Sequence, residues 1–224
     1  MRILHPTEID LAARAIEAGE LVVVPTKRWY MLCCDAGNAD ACSRIYQSKR
    51  RPKSKSLLLV LPSKSAADQY FQLSNDARVL IASLWPGDLA LRLKWTSAEL
   101  GRSYEAVGPD IALVGYPNDL LGDLAQRTSV LLAATSANIS ENSNAEAGPA
   151  ITVEEVLRFS RDSEIRFSVI VDDGISPQFI HMTIVDCSEV DRPAILIRDG
   201  AVHQRALSAA LGREVPVFEQ PKIR

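Results

Sequence analysis

The sequence predicts a single α/β domain, built as a twisted mixed sheet with flanking helices. Three observations carry this expectation. Short apolar runs at 21–25, 57–61 and 111–115 alternate with segments of helical period along the whole chain. No Gly/Ser/Pro-rich linker, internal repeat or low-complexity segment interrupts the 224 residues, a length that can bury a substantial core. The last three strand candidates lie at hairpin-like spacing, which argues against a purely parallel sheet. Residues 1–203 are expected to form the domain, and 204–224 a C-terminal helix with an irregular tail.

Residues 2–5 read as a short edge strand. Thr7 is placed as an N-cap, with Ile9, Leu11, Ala12 and Ile16 on one helical face and Gly19 as the stop. Leu21-Val22-Val23-Val24-Pro25 is a buried strand ending at a proline. Polar and aromatic residues, Thr26-Lys27-Arg28-Trp29-Tyr30-Met31-Leu32, follow at its end, where α/β proteins commonly place binding groups. Ala41, Ile45 and Tyr46 give residues 39–47 a helical face, and 57–61 is a second buried strand. Ser74 caps a helix over 75–85 striped by Ala77, Leu80, Ile81 and Leu84, and Trp85-Pro86-Gly87 stops it. Leu89, Leu91 and Leu93 alternate with Ala90, Arg92 and Lys94, as in a strand buried on one face. Residues 96–109 are a polar connection without a defined form. After the strand at 111–115, Asn118 is placed as the cap of a helix running to Arg127. The strand at 130–134 delivers the chain to Thr135-Ser136-Ala137-Asn138, and a long loop of small polar residues runs on to Ala150. Thr152 and Glu155 form a capping box for a helix through Phe159. Strands at 167–171, 183–187 and 194–197 and a helix over 204–211 complete the chain.

Hydrophobic content of 47% and charged content of 24% are ordinary for a soluble globular protein. No apolar run approaches the roughly 20 residues that span a bilayer. The N-terminal Met1-Arg2-Ile3-Leu4-His5-Pro6 lacks a signal-peptide core, so a cytoplasmic place without membrane contact is expected. Cys33, Cys34, Cys42 and Cys187 form no CxxC pair, and with three scattered histidines no protein metal site is expected. The formal net charge is -3, yet six of the twelve residues from Arg44 to Lys55 are basic and none is acidic. Such a concentration reads either as a solvated loop or as one wall of an anion site.

Several chemistries have no motif here: there is no GxxxxGK[ST] phosphate loop, GxSxG elbow or HExxH helix. Asp172-Asp173-Gly174 lacks the other positions of a calcium loop and reads as a tight turn. The adjacent Cys33 and Cys34 read as core packing. What remains is a dispersed set: Thr26 after one strand, the basic segment at 49–55, Thr135-Ser136-Ala137-Asn138 after another strand, and Arg198 after the last. Each alone reads as a turn residue or a surface pair. Together, hydroxyls, an amide and cations on separate strand ends are the parts of an oxyanion or phosphate pocket.

In this order the motifs resemble the YrdC-like family, whose catalytic members are L-threonylcarbamoyladenylate synthases. Val22-Val23-Val24-Pro25-Thr26-Lys27-Arg28-Trp29-Tyr30-Met31-Leu32 matches in part the family strand ending in Pro-Thr-acidic-Thr-x-Tyr-Gly-Leu. Ile45-Tyr46-Gln47-Ser48-Lys49-Arg50-Arg51-Pro52-Lys53-Ser54-Lys55-Ser56-Leu57 matches Ile-Tyr-x-x-Lys-x-Arg-Pro-x-x-Lys-Pro-Leu. Trp85-Pro86-Gly87, Thr135-Ser136-Ala137-Asn138, Thr183-Ile184-Val185-Asp186 and Ile197-Arg198-Asp199-Gly200-Ala201 follow in family order. The resemblance implies a concave fold with a positively charged cavity. It also implies a reaction of ATP, bicarbonate and L-threonine to threonylcarbamoyl-AMP and pyrophosphate, serving tRNA modification. By position it places Lys49 and Arg51 in catalysis, and Arg51, Ser136, Asn138 and Arg198 on ATP. Thr26, Arg28, Lys55, Thr135 and Thr183 fall on the other substrates, with Mg²⁺ bridging phosphates and no metal held by the protein itself.

The departures from the family pattern gather on the amino-acid side. The second threonine of the first motif is Arg28, an arginine expected to meet the amino-acid carboxylate is Gly115, and the serine before Thr183 is Met182. Either Arg28 takes over from the missing arginine, or the chain is a divergent paralogue that uses another small amino acid. A paralogue that binds tRNA or double-stranded RNA, or nucleotide, without synthase activity is the alternative.

Overall fold

Apolar runs flanked by turn residues become strands wherever a neighbour can take their backbone groups, and here nearly every such run does. The computed structural model describes residues 1–140, 148–176 and 180–218. The chain opens with β1 (Arg2–Leu4), a 3₁₀ turn (Pro6–Glu8), α1 (Ile9–Glu17), the hairpin β2 (Val22–Pro25) and β3 (Tyr30–Asp35), then α2 (Ala39–Ser48) and β4 (Leu58–Val60). Next come α3 (Ala66–Tyr70), β5 (Phe71–Gln72), α4 (Asn75–Leu84), β6 (Leu89–Trp95), α5 (Ala98–Ser103), a second 3₁₀ turn (Glu105–Val107) and β7 (Ile111–Gly115). The remainder is α6 (Leu120–Arg127), β8 (Leu132–Ser136), α7 (Val153–Asp162), β9 (Val169–Val171), β10 (Thr183–Asp186), β11 (Ile195–Arg198) and α8 (Gln204–Leu211).

Among the described residues all strands join one mixed sheet in the order β1-β9-β2-β3-β8-β4-β7-β6-β10-β11, with β5 paired to β6. The pairs β1/β9, β2/β9, β4/β7 and β6/β10 are parallel and the rest antiparallel. Side chains alternate across this sheet and build two cores. Val22, Val24, Met31 and Cys33 pack with Ile9, Ile16, Leu121 and Leu124 of α1 and α6 on one face. Val23, Leu32 and Cys34 pack with Ile45, Leu80 and Phe159 of α2, α4 and α7 on the other.

Several local expectations need correction. Thr7 does not cap α1: the His5 side chain accepts from the Thr7 amide and caps the preceding 3₁₀ turn, with Glu8 bonding back to the His5 N–H. Asp119, not Asn118, caps α6, its carboxylate accepting from Leu121 N. Thr152 does cap α7, but the Glu155 carboxylate takes the Ile151 amide rather than that of Thr152. Residues 30–35, read only as polar and aromatic strand-end groups followed by packed cysteines, form a full strand, because β2 and β8 supply partners on both sides. Of the last three strands only β10 and β11 form an antiparallel pair. β9 lies at the opposite end of the sheet, parallel to β1 and β2, so spacing along the chain misjudged its partner. The connection at 96–109 contains α5 and the second 3₁₀ turn.

Helix α8 and the segment after it are built onto the same core. Leu207 and Val215 are buried within it, Phe218 N donates to Leu196 O, and Arg213 pairs with Asp76 at the start of α4. Residues 141–147 of the expected polar loop and 219–224 of the tail lie outside the described residues.

Candidate functional site

The basic segment and the 135–138 motif meet at one side chain. Lys49 ends α2 as its C-cap and is 0% exposed. Its ammonium donates to the backbone oxygen of Ser136 at 2.6 Å and to that of Asn138, and lies 3.3 Å from Asn138 Oδ1. Phe159 of α7 places its ring 5.7 Å from the same Nζ, a cation–π contact. In the reverse direction Ser140 N donates to Lys49 O at 2.8 Å. Two stretches almost ninety residues apart are therefore clasped through both backbone and side chain. Burial, reinforced by the charge of Arg51, lowers the Lys49 pKa to about 7. Within the loop, Ser136 Oγ donates to Asn138 Oδ1 at 2.6 Å, and Asn138 Nδ2 donates to Ile139 O.

Arg50 turns the chain with a positive φ of 47°, which aims the next residue back along the protein. Arg51 then donates from Nε to Lys55 O and from one terminal nitrogen to Ser56 O, at 2.8 and 2.7 Å. This pre-orients a partly buried guanidinium, which also lies within hydrogen-bonding reach of the Tyr46 hydroxyl. Lys53 and Lys55 are exposed. The basic segment thus combines exposed lysines with two cations anchored into the fold.

A second cluster forms where the β2–β3 turn meets the start of β6 and the approach to β10. Thr26 Oγ1 donates to Trp29 O at 2.7 Å and accepts from the amides of Arg28 and Trp29, so its hydroxyl closes the turn. Arg28 is 2% exposed and forms an ion pair with Asp88. Asp119, whose carboxylate also takes the Lys27 amide, is pushed up in pKa by burial, with Arg28 opposing the shift. His181 stacks edge-on against Trp29 at 4.9 Å, and burial and the nearby Arg198 and Arg28 charges lower its pKa. Arg198 stands exposed at the rim with Nε donating to Met182 O at 3.0 Å. Met182 lies beside Gly115: a Cβ there would sit 3.3 Å from Met182 Cε and 3.4 Å from Leu58 Cδ1. The thioether occupies the space that a side chain at 115 would need.

Thr135 is buried in β8 opposite Leu32, and Thr183 is buried with its hydroxyl donating to Val202 O and accepting from Val202 N. A cavity of about 350 Å³ joins the two clusters, lined by Asn138, Phe159, Trp29, His181, Glu155 and Arg158 among others. Arg51, Lys55 and Arg198 do not line it. Asp88, Asp119, Phe159 and His181 were not singled out from sequence. Asp88 directly follows the Trp-Pro-Gly stop, but nothing in the spacing says that it meets a residue sixty positions earlier. Among the described residues no group of three or more His, Cys, Asp or Glu side chains could hold a metal ion. No described helix is long and apolar enough to cross a membrane.

Comparison with known proteins places this geometry. Residues 14–200 match the profile of Sua5, YciO and YrdC proteins, described as "Telomere recombination". The threonylcarbamoyl-AMP synthase of Bacillus subtilis is 28% identical over 206 residues, covering 92% of this chain but 57% of its own length. That of Mus musculus is 31% identical, covering 88% of this chain and 68% of its own length. Among solved structures, a variant of P. abyssi Sua5 superposes with a TM-score of 0.82 at 25% identity, covering 97% of this chain and 62% of that one.

Proposed function

The chain belongs to the Sua5/YciO/YrdC family, and from that premise we propose that it is a nucleotidyltransferase of the threonylcarbamoyl-AMP synthase type. It would join ATP, bicarbonate and L-threonine, or another small amino acid, into a carbamoyl-adenylate and release pyrophosphate. The relatives that carry the synthase name support the reading, although the chain spans little more than half of the Bacillus subtilis protein. The observation that carries it is the clasp of Lys49 on the carbonyls of Ser136 and Asn138. That clasp holds a cation-rich turn and a hydroxyl- and amide-bearing loop edge to edge, as a polyphosphate needs.

The roles follow from the contacts. Lys49 has its donors on loop oxygens, so it sets the loop and supplies a field rather than a free hydrogen bond. Arg51, pinned through Nε and one terminal nitrogen, offers its remaining donors to phosphate oxygens, and Arg198 does so from the rim. Ser136 and Asn138 add neutral donors once a phosphate displaces their mutual bond. Mg²⁺ would arrive with ATP, since among the described residues no group of three or more His, Cys, Asp or Glu side chains could hold it. The carbamoyl-adenylate would serve adenosine modification in tRNA, in the cytosol.

On the acceptor side the geometry supports a narrowed amino-acid pocket. Arg28 is neutralised by Asp88 and buried, so it does not stand in as an open cation for the arginine absent at Gly115. Met182 fills the adjoining space. The test is pyrophosphate release from ATP and bicarbonate with each amino acid in turn. Release above the blank with threonine or one other small amino acid, lost in Arg51→Ala and Arg198→Ala, is the expected result. No release with any amino acid would overturn the proposal.

A further inference from the structure

On the α2 side of the sheet a cavity of about 500 Å³ opens between α2 and the α5–Glu105 stretch, lined by Cys42, Tyr46, Lys53, Arg102 and Glu105 among others. Its wall holds a thiol with a partner. Cys42 Sγ lies 3.6 Å from Cys34 Sγ. The pairing comes from two periodicities. Along β3 the strand alternation sends Cys33 into the core beneath α1 and α6, and Cys34 into the core beneath α2. The Asn38 cap starts α2 so that Cys42 faces back onto that strand, with its thiol also directed at the carbonyls of Asp35 and Ala36.

We propose that Cys34 and Cys42 form a peroxide-reactive dithiol that closes to an intramolecular disulfide, with Cys42, on the cavity wall, as the sulfur that meets the oxidant. The Cys42 thiolate attacks the terminal oxygen of hydrogen peroxide or an organic hydroperoxide; the O–O bond breaks to give a sulfenic acid, and the departing oxygen takes up the proton lost from Cys42 and leaves as water or the corresponding alcohol. The Cys34 sulfur then gives up its proton and attacks the Cys42 sulfur: the S–S bond forms, the S–O bond breaks, and the hydroxyl leaves with that proton as water. Two thiols thereby lose two electrons and two protons, and the peroxide takes them up. Bonding requires the sulfurs to close from 3.6 Å to about 2.05 Å. The hydrogen bond from Cys34 lowers the Cys42 pKa against the effect of burial, which agrees with Cys42 as the nucleophile. Cys33 cannot compete, because its thiol lies across the sheet, and burial raises the Cys187 pKa to about 12.

The native full chain is treated with hydrogen peroxide, its remaining thiols are alkylated, and the digest is mapped by mass spectrometry. Cleavage before Asp35 and Asp40 separates Cys34 from Cys42, and the expected product is one peptide pair joined through these two residues, about 2 Da lighter than the two thiol peptides. Dithiothreitol should reverse it, and the thiols of Cys33 and Cys187 should remain. Cys34→Ser should stop at a sulfenic acid on Cys42 that dimedone traps, and Cys42→Ser should leave Cys34 unmodified at the same dose. Far-UV circular dichroism checks that both variants fold, and the wild-type map stands without them. Linkage that forms only in denaturant, linkage through Cys33, or over-oxidation of Cys42 with Cys34 still free would each overturn the proposal.

Discussion

Replacing Lys49 by Met removes the ammonium and keeps an unbranched side chain of similar bulk, so the packing on Phe159 persists as a sulfur–ring contact. The variant loses the donors to Ser136 O and Asn138 O. Both acceptors are only partly buried, so each orphaned oxygen costs at the low end of the usual range, and the pair about 2–4 kcal/mol. An opposing effect depends on pH. In the folded chain Lys49 has a pKa of about 7 against a reference of 10.5, so between those values the unfolded chain holds more protons. Stability of the wild type therefore rises with pH across that window, by up to about 1.4 kcal/mol per unit from this group. The Met variant lacks this contribution. The gap between wild type and Lys49→Met should widen from pH 7 towards pH 9.5, measured as urea midpoints at constant slope. A gap that is flat or narrows with rising pH would refute the burial argument. A gap below about 0.5 kcal/mol at pH 9 would show that the 136–140 loop does not depend on Lys49.

Two further outcomes test the acceptor side. Arg28→Ala should destabilise the fold by about 3–5 kcal/mol, because Asp88 and Asp119 are left without their counter-charge. Adding Asp88→Asn should recover part of that loss in a double-mutant cycle, and coupling below about 0.5 kcal/mol would mean that the ion pair carries no weight. Gly200→Ala should lower the melting temperature sharply, since its Cβ would lie 2.3 Å from His181 O and 2.8 Å from Met182 C. Gly115→Ala meets only the mobile end of Met182 and the Leu58 side chain and should cost less than about 1 kcal/mol. Equal losses in thermal melts would contradict this ordering.

The local sequence foretold much of the fold. The apolar run at 21–25, the stripe on α4 and the alternation over β6 needed no partner to be read, because a continuous apolar run marks a strand buried on both faces and burial on one face imposes its own period. Motif order also carried the family, and the profile over residues 14–200 agrees with it. Legibility was weakest where two segments compete for one role. Asp119 took the cap assigned to Asn118, and Thr7 fell inside a 3₁₀ turn capped by His5, a matter of side-chain geometry rather than composition. β9 reads like any short apolar strand, and only the assembled sheet shows that it lies between β1 and β2.

The basic residues at 49–55 and the hydroxyl and amide at 136–138 are local facts of sequence, and so is the loss of a side chain at 115. Their meaning is not. A lysine is solvated or buried according to what folds over it, and here α7 and the 136–140 loop enclose Lys49. An arginine is an open cation or a closed pair according to whether a carboxylate arrives from elsewhere in the chain, and Asp88 arrives at Arg28. Two adjacent cysteines share a sequence context, yet strand alternation separates them and hands one to a partner on α2. Periodicity and residue type act within a few residues and can be read directly. Burial, charge neutralisation and thiol pairing are long-range, and only the assembled sheet decides them.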